Sequence, residues 1–167
     1  MFDVGDKVVY PHHGAGTVVR KEVRSVLGTE REYLTIQILH NDMVVNVPTE
    51  NWERVGLRKV ISERMVVQVI EVLHGDGTAM PKNWNRRFKY NRDKMKTGDI
   101  FELAEVVRNL SLREQEKGLS TGEKQMFVKA KKILASELMY AKEMDEDEIV
   151  EWLEHVLGRV GMKAALA

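Results

Sequence analysis

The chain changes its hydrophobic period once, at Gly56-Leu57-Arg58-Lys59. Before that point apolar residues tend to alternate with polar ones. After it they recur every three or four residues. The first rhythm belongs to strands and the second to helices, and neither pattern settles into the other structure. An α+β chain is therefore predicted. A β unit occupies residues 1–56, and an all-helical unit of about five helices occupies 57–160. Residues 161–167 are expected to form a disordered tail, with fraying from Gly158 onward.

The β unit can be followed strand by strand. Lys7-Val8-Val9-Tyr10 reads as a short strand stopped by Pro11, and His12-His13-Gly14-Ala15-Gly16 as a turn. Thr17 to Val23 is a second strand, and Leu27-Gly28-Thr29 turns the chain back. Arg31 to Leu39 is the clearest strand, with Leu34, Ile36 and Ile38 alternating against Thr35 and Gln37. His40-Asn41-Asp42 makes another tight turn. Met43 to Val47 is a fourth strand, stopped by Pro48. Four or five short strands in so little chain suggest a small SH3-like or Tudor-like barrel. A barrel of that size buries little core and leans on the rest of the chain.

The helical unit opens at Ser62-Glu63-Arg64, carries Val66, Val69, Ile70 and Leu73, and stops at His74-Gly75-Asp76-Gly77. A second helix runs from Trp84 to about Lys96 and breaks at Thr97-Gly98-Asp99. A third carries Ile100, Leu103, Ala104, Val107 and Leu110 as one apolar stripe and ends near Lys117-Gly118. Ser120-Thr121-Gly122-Glu123 matches a capping box, with Ser120 as the cap of a fourth helix. A fifth is expected from Asp147 to Leu157, capped by Asp145 or Asp147.

Chemistry concentrates in one place. Residues 81–92 set three aromatic rings among five cations and contain no acid. The 167-residue chain balances 26 basic against 26 acidic side chains, so this positive charge is local. Cations attract phosphates, and an indole can wedge between or stack on bases. Trp84 stands at a helix start, where a side chain can project past the end, and Phe88 is the better core residue. A plain amphipathic helix, with its arginines solvated, accounts for the same pattern. Against that stands the lack of local acids: Arg86, Arg87, Lys89, Arg92, Lys94 and Lys96 face only Asp93 nearby. Lys124 lies in the first turn of the fourth helix, against the macrodipole, a cost of about 0.3–1 kcal/mol. A bound phosphate would reverse that sign, and Gly122 would permit close approach.

Other chemistries find little support. The chain has no Cys, which removes disulfides, thiolate catalysis and Cys-based zinc sites. The five histidines lack ligand-spaced partners. The acidic stretch Glu143, Asp145, Glu146, Asp147, Glu148, Glu151, Glu154 reads as helix-start charge and solvated surface. There is no P-loop, dinucleotide fingerprint, nucleophile elbow or recognisable carboxylate pair. No cofactor, metal or catalytic residue is expected. The N-terminus lacks the features of a signal peptide, and no stretch reaches the roughly 20 apolar residues of a membrane span. A cytoplasmic protein, monomeric when free, is expected.

Five short motifs, in one order across both halves, resemble the CarD family of bacterial transcription regulators (the short CarD/CdnL type). They are Val4-Gly5-Asp6-Lys7-Val8-Val9-Tyr10-Pro11-His12-His13-Gly14, Val47-Pro48-Thr49-Glu50-Asn51, Asn83-Trp84-Asn85-Arg86-Arg87-Phe88-Lys89, Glu105-Val106-Val107-Arg108 and Gly118-Leu119-Ser120-Thr121-Gly122-Glu123-Lys124. The resemblance covers about Phe2 to Leu157. It implies a Tudor-like domain that binds the lobe of the RNA polymerase β subunit. It also implies a helical domain that binds promoter DNA, without sequence preference, at the upstream edge of the transcription bubble. On that resemblance Trp84 enters the minor groove, and Arg86, Arg87, Lys89 and Lys124 hold the backbone. Arg24 falls where the family carries a β-contacting arginine, and Asn46 replaces the family's other arginine on the fourth strand. The expected outcome is a stabilised open complex with no catalysis. A protein–protein adaptor with Trp84 in its own core is the competing expectation, and a small enzyme using the acidic stretch is a third.

Overall fold

A computed structural model of the chain describes the backbone of residues 1–166 and the side chains of residues 1–158. It has the expected α+β order, with a five-stranded antiparallel sheet followed by five helices. The strands are β1 (Lys7–Tyr10), β2 (Gly14–Val26), β3 (Thr29–Ile38), β4 (Val44–Pro48) and β5 (Arg58–Lys59). Their order is β4-β3-β2-β1-β5, so β4 and β5 are the two edges. Val8, Val18, Leu34, Ile36, Ile38, Val47 and Leu57 point inward and form a small core with Phe2. The Phe2 ring meets Trp52 edge-on at 5.5 Å.

Two strands outrun their expected bounds. β2 and β3 stay paired to Val26↔Thr29, because Leu27 and Gly28 both take positive φ, 52° and 78°. That two-residue turn matches the right-handed twist of a hairpin, so the strands do not splay. At its other end β2 begins at Gly14, since Gly14, Ala15 and Gly16 pair with Tyr10, Val9 and Val8. The register slips between Val18 and Arg20, a bulge that leaves Val19 exposed. Arg58 and Lys59, expected as the crossover, instead pair with Val9 and Val8 as the fifth strand. Pairing there satisfies a strand edge that would otherwise hold open backbone groups.

The helices are α1 (Glu63–His74), α2 (Trp84–Lys96), α3 (Ile100–Glu116), α4 (Thr121–Lys142) and α5 (Glu146–Leu166). Val69, Leu73, Val107, Leu110, Leu134, Leu138 and Ile149 are wholly buried in their common core. Each such side chain contributes about 1.5–3 kcal/mol of burial. Asp145 is the α5 cap: its Oδ1 accepts from the Glu148 N–H at 2.8 Å. The α5 backbone continues past Gly158 to Leu166, where fraying is expected, because Gly158 stays within the helix and provides no stop. The last position of the expected tail, residue 167, lies outside the described residues.

α4 staples the two units. Glu137, buried at 3% exposure, accepts two bonds of 2.7 Å from the Arg58 guanidinium and a third from the Ile61 N–H at 2.9 Å. Ser136 Oγ accepts from the Ala15 N–H at 3.0 Å, and the Tyr140 hydroxyl lies 2.9 Å from Thr17 Oγ1. Arg58 Nε also donates to the Gly98 carbonyl at 2.8 Å. Gly98 sits at φ +76°, and a Cβ there would come within 2.8 Å of Pro11 Cγ, so glycine is required at this junction. The small sheet therefore leans on the helical unit, as its size demands. Among the described residues, no helix is long and apolar enough to cross a membrane, and no cluster of His, Cys, Asp or Glu could hold a metal.

Candidate nucleic-acid interface

α2 starts at Trp84 because Asn83 caps it. The Asn83 Oδ1 accepts from the Arg86 N–H at 3.1 Å, which satisfies one of the free donors of the first turn. The cap leaves the Trp84 side chain at the open end of the helix. The residue is 42% exposed, so it is not sealed in the bundle. One face stacks on Phe88, with centroids 5.1 Å apart and planes 19° from parallel. Under the ring lies the first turn of α4, at Gly122. A Cβ added there would meet the Trp84 Cζ2 at 3.4 Å and the Phe88 Cε2 at 3.6 Å. The indole N–H donates to Ser120 Oγ at 2.8 Å. An exposed aromatic face thus stands on a base of fixed geometry, where two helix N-termini meet.

The cations around it divide into distinct groups. Arg86 is exposed and pairs with no acid among the described residues, and the same holds for Lys124. Lys89 is exposed but donates to Asp93 at 2.7 Å, one turn along α2. That bond holds the Asp93 carboxyl below its ordinary range. An exposed pair of this kind is worth little and exchanges readily for another anion. Arg92 is exposed and lies over the Phe88 ring at 6.0 Å.

Arg87 does not belong with these contacts. Only 4% exposed, it donates from Nε to Glu123 Oε2 at 2.9 Å and from Nη2 to Oε1 at 3.1 Å. Its Nη1 donates to the Lys82 carbonyl at 3.0 Å. In the free protein this guanidinium is fully engaged, so its geometry lends no support to the expectation that Arg87 holds the backbone. The Glu123 hydrogen bonds raise the Arg87 pKa despite its burial. Burial alone would raise the Glu123 carboxyl, but bonds from Arg87 and Ser120 outweigh it and hold the group below its ordinary range. Arg113 adds a second cation 3.8 Å from Glu123.

Tertiary contacts supply acids that the local sequence lacks. Glu105 of α3 pairs with Lys94, and Glu123 of α4 pairs with Arg87. The free positive charge is thus smaller than residues 81–92 alone suggest. Ser120 and Glu123 were legible as a capping box but not as supports of the ring. Nothing in the sequence marks Glu123 as buried; once the fold buries it, its carboxylate calls for a cation.

Arg24 and Asn46 lie apart from this site, on the sheet. Arg24 is part-buried on β2, bonded to Glu22 and 5.8 Å from the Tyr33 ring. Asn46 is exposed on the edge strand β4, where its Oδ1 accepts from Thr35 Oγ1 at 2.8 Å.

Comparison with known sequences follows the same division. The family described as CarD-like/TRCF RID domain matches residues 2–61, and that described as CarD, C-terminal domain matches residues 68–154. The chain belongs to the CarD family. The first CarD match takes in all five strands, and the second takes in α2, α3 and α4 entire. YdeB of Bacillus subtilis (strain 168), described as a candidate transcription factor, is 36% identical over 150 residues, covering 89% of this chain and 97% of that protein. The N-terminal domain of Myxococcus xanthus CarD, solved by NMR, is 34% identical. That match covers 35% of this chain and 79% of the domain, with a TM-score of 0.32. All four exposed candidates, Trp84, Arg86, Lys89 and Lys124, lie within the second CarD match, and Arg24 and Asn46 within the first.

Proposed function

We propose that this CarD-family protein is a non-catalytic transcription regulator that links RNA polymerase to promoter DNA. Trp84 fills the unstacked step at the upstream edge of the bubble, entering from the minor groove. Arg86, Lys89 and Lys124 hold the flanking phosphates. The carrying observation is Trp84, 42% exposed and seated on Phe88 and Gly122, next to cations that include two without acidic partners among the described residues. A ring that contacts melted DNA and not closed duplex favours the open form by that difference alone. A difference of about 1.4 kcal/mol moves the open–closed ratio tenfold.

Placement comes from the sheet. Arg24 and the β4 edge around Asn46 face the β subunit of the polymerase, and attachment there raises the local concentration of the ring at the fork. An open strand edge suits pairing with a partner strand. Weak DNA affinity without sequence preference then suffices, in the cytoplasm where polymerase acts.

The deciding experiment measures lifetimes of heparin-resistant open complexes. Trp84→Ala is expected to shorten them about tenfold while leaving the free protein folded, as circular dichroism would show. Lifetimes equal to those with the unaltered protein would remove Trp84 from the DNA contact.

A further inference from the structure

We infer that Ser120 is the positioning residue for the Trp84 ring, fixing the orientation in which the indole is presented; this rests on the bubble-edge role proposed above. The Ser120 Oγ takes part in three hydrogen bonds. It accepts from the Trp84 Nε1 at 2.8 Å and from the Glu123 N–H at 3.2 Å, and it donates to Glu123 Oε1 at 3.0 Å. A serine hydroxyl has one proton and two lone pairs, so every valence is in use. The direction of the proton is decided by Glu123. That carboxylate is ionised and buried, and Arg87 holds both of its oxygens. With the proton committed to Glu123, a lone pair faces the indole N–H, and the ring cannot turn over without losing its acceptor. Phe88 behind the ring and Gly122 beneath it remove the remaining freedom.

Capping α4 alone would not require this arrangement. Asp, Asn and Thr cap helices about as well as Ser. Asp at this place would set a second carboxylate within hydrogen-bond distance of Glu123, with no proton to share at neutral pH. The chain from Arg87 through Glu123 and Ser120 to Trp84 needs a group that accepts and donates at once. Thr supplies that, and Asp does not. A ring held in one orientation loses less freedom when it enters the DNA, so the lock strengthens the contact without touching it.

The test uses the whole chain with Trp52 and Trp152 replaced by Phe, leaving Trp84 as the sole tryptophan, excited selectively over the tyrosines. Ser120→Ala and Ser120→Gly are compared with Ser120→Thr and Ser120→Asp, with folding checked by circular dichroism. Gly keeps most of the capping strength, so it guards against a variant that fails only because α4 unravels. Ser120→Ala and Ser120→Gly are expected to lower the Trp84 fluorescence anisotropy, increase acrylamide quenching and shorten open-complex lifetimes roughly fivefold. Ser120→Thr is expected to retain all three readouts, and Ser120→Asp to lose them despite its intact cap. In a Trp84→Phe background, which lacks the indole N–H, Ser120→Gly is expected to change lifetimes less than twofold. An equal effect in both backgrounds, or an unchanged anisotropy in Ser120→Gly, would overturn the assignment. If Trp84→Ala leaves lifetimes intact, the bubble-edge role falls, yet the anisotropy still decides whether Ser120 holds the ring.

Discussion

The Glu123 carboxylate accepts from Arg87 Nε at 2.9 Å and from Arg87 Nη2 at 3.1 Å, so one bidentate pair joins the first turns of α2 and α4. Both groups are nearly inaccessible, at 5% and 2% side-chain exposure. The pair turns two independent helix starts into one platform, and Trp84 stands on it. Removing one member would leave an uncompensated buried charge, which costs about 3–5 kcal/mol. Arg87→Ala is therefore expected to lower stability by that amount in urea unfolding. Arg87→Lys should recover little, since a single ammonium cannot satisfy two oxygens in a fork. Arg86→Ala, one residue away and exposed, should stay within about 0.5 kcal/mol of the parent.

The same pair should leave a signature in pH. Glu123 sits below its ordinary value of 4.5 in the folded protein. On acidification the unfolded chain therefore takes up this proton before the folded one. The stabilisation is whole above the unfolded pKa and is lost as pH falls through the folded pKa. The stability gap between the parent and Glu123→Gln should be widest near neutrality and should close as pH falls below about 4.5. Urea titrations across that range measure it, and a gap independent of pH would assign the effect to shape rather than charge.

DNA binding should separate the exposed cations from the buried one. Arg86→Gln and Lys124→Gln are each expected to reduce the salt dependence of binding to forked DNA by about one unit of slope. Lys89→Gln should reduce it less, because Asp93 already shares that charge and is freed by the loss. Equilibrium titrations at several salt concentrations provide the slopes. An unchanged slope for Lys124→Gln would remove that residue from the phosphate contacts.

The proposed polymerase contact has its own variants. Arg24→Glu is expected to abolish capture of the protein by purified β lobe, because it reverses a charge beside Glu22 and the Tyr33 ring. Asn46→Arg should strengthen capture, at the small cost of the Thr35 hydrogen bond to Asn46. Neither change should alter binding to forked DNA alone. Loss of DNA binding in Arg24→Glu would mean that the two surfaces are not separate.

Much of this molecule was legible in the sequence, and the rest was hidden for physical reasons. The bounds of α2 follow from its breakers and from the open stretch before Trp84, which are local signals. The neutralisation of Arg87 and Lys94 is not local. Glu123 lies 36 residues from Arg87, and Glu105 lies 11 from Lys94, so no helix-period rule could pair them. β5 was missed because two residues carry no detectable alternation. Its existence depends on the free edge of β1, which only the folded sheet defines. The capping box was read correctly from Ser120 and Glu123, yet the Glu123 side chain turns toward Arg87 and the serine hydroxyl. A buried cation outcompetes the backbone N–H that a carboxylate at that position ordinarily meets.

α4 touches both units of the molecule. Its first turn carries the support of the indole, and Ser136, Glu137 and Tyr140 bond it to the sheet and to β5. Between Ser120 and Ser136 the axis covers roughly 24 Å, at 1.5 Å per residue. No hinge interrupts that span, so the helix works as a caliper whose jaws are the sheet and the ring. Lengthening it by a single residue would swing one jaw by about 100° against the other. Whatever grips the sheet must therefore present its second contact at one fixed reach and one bearing.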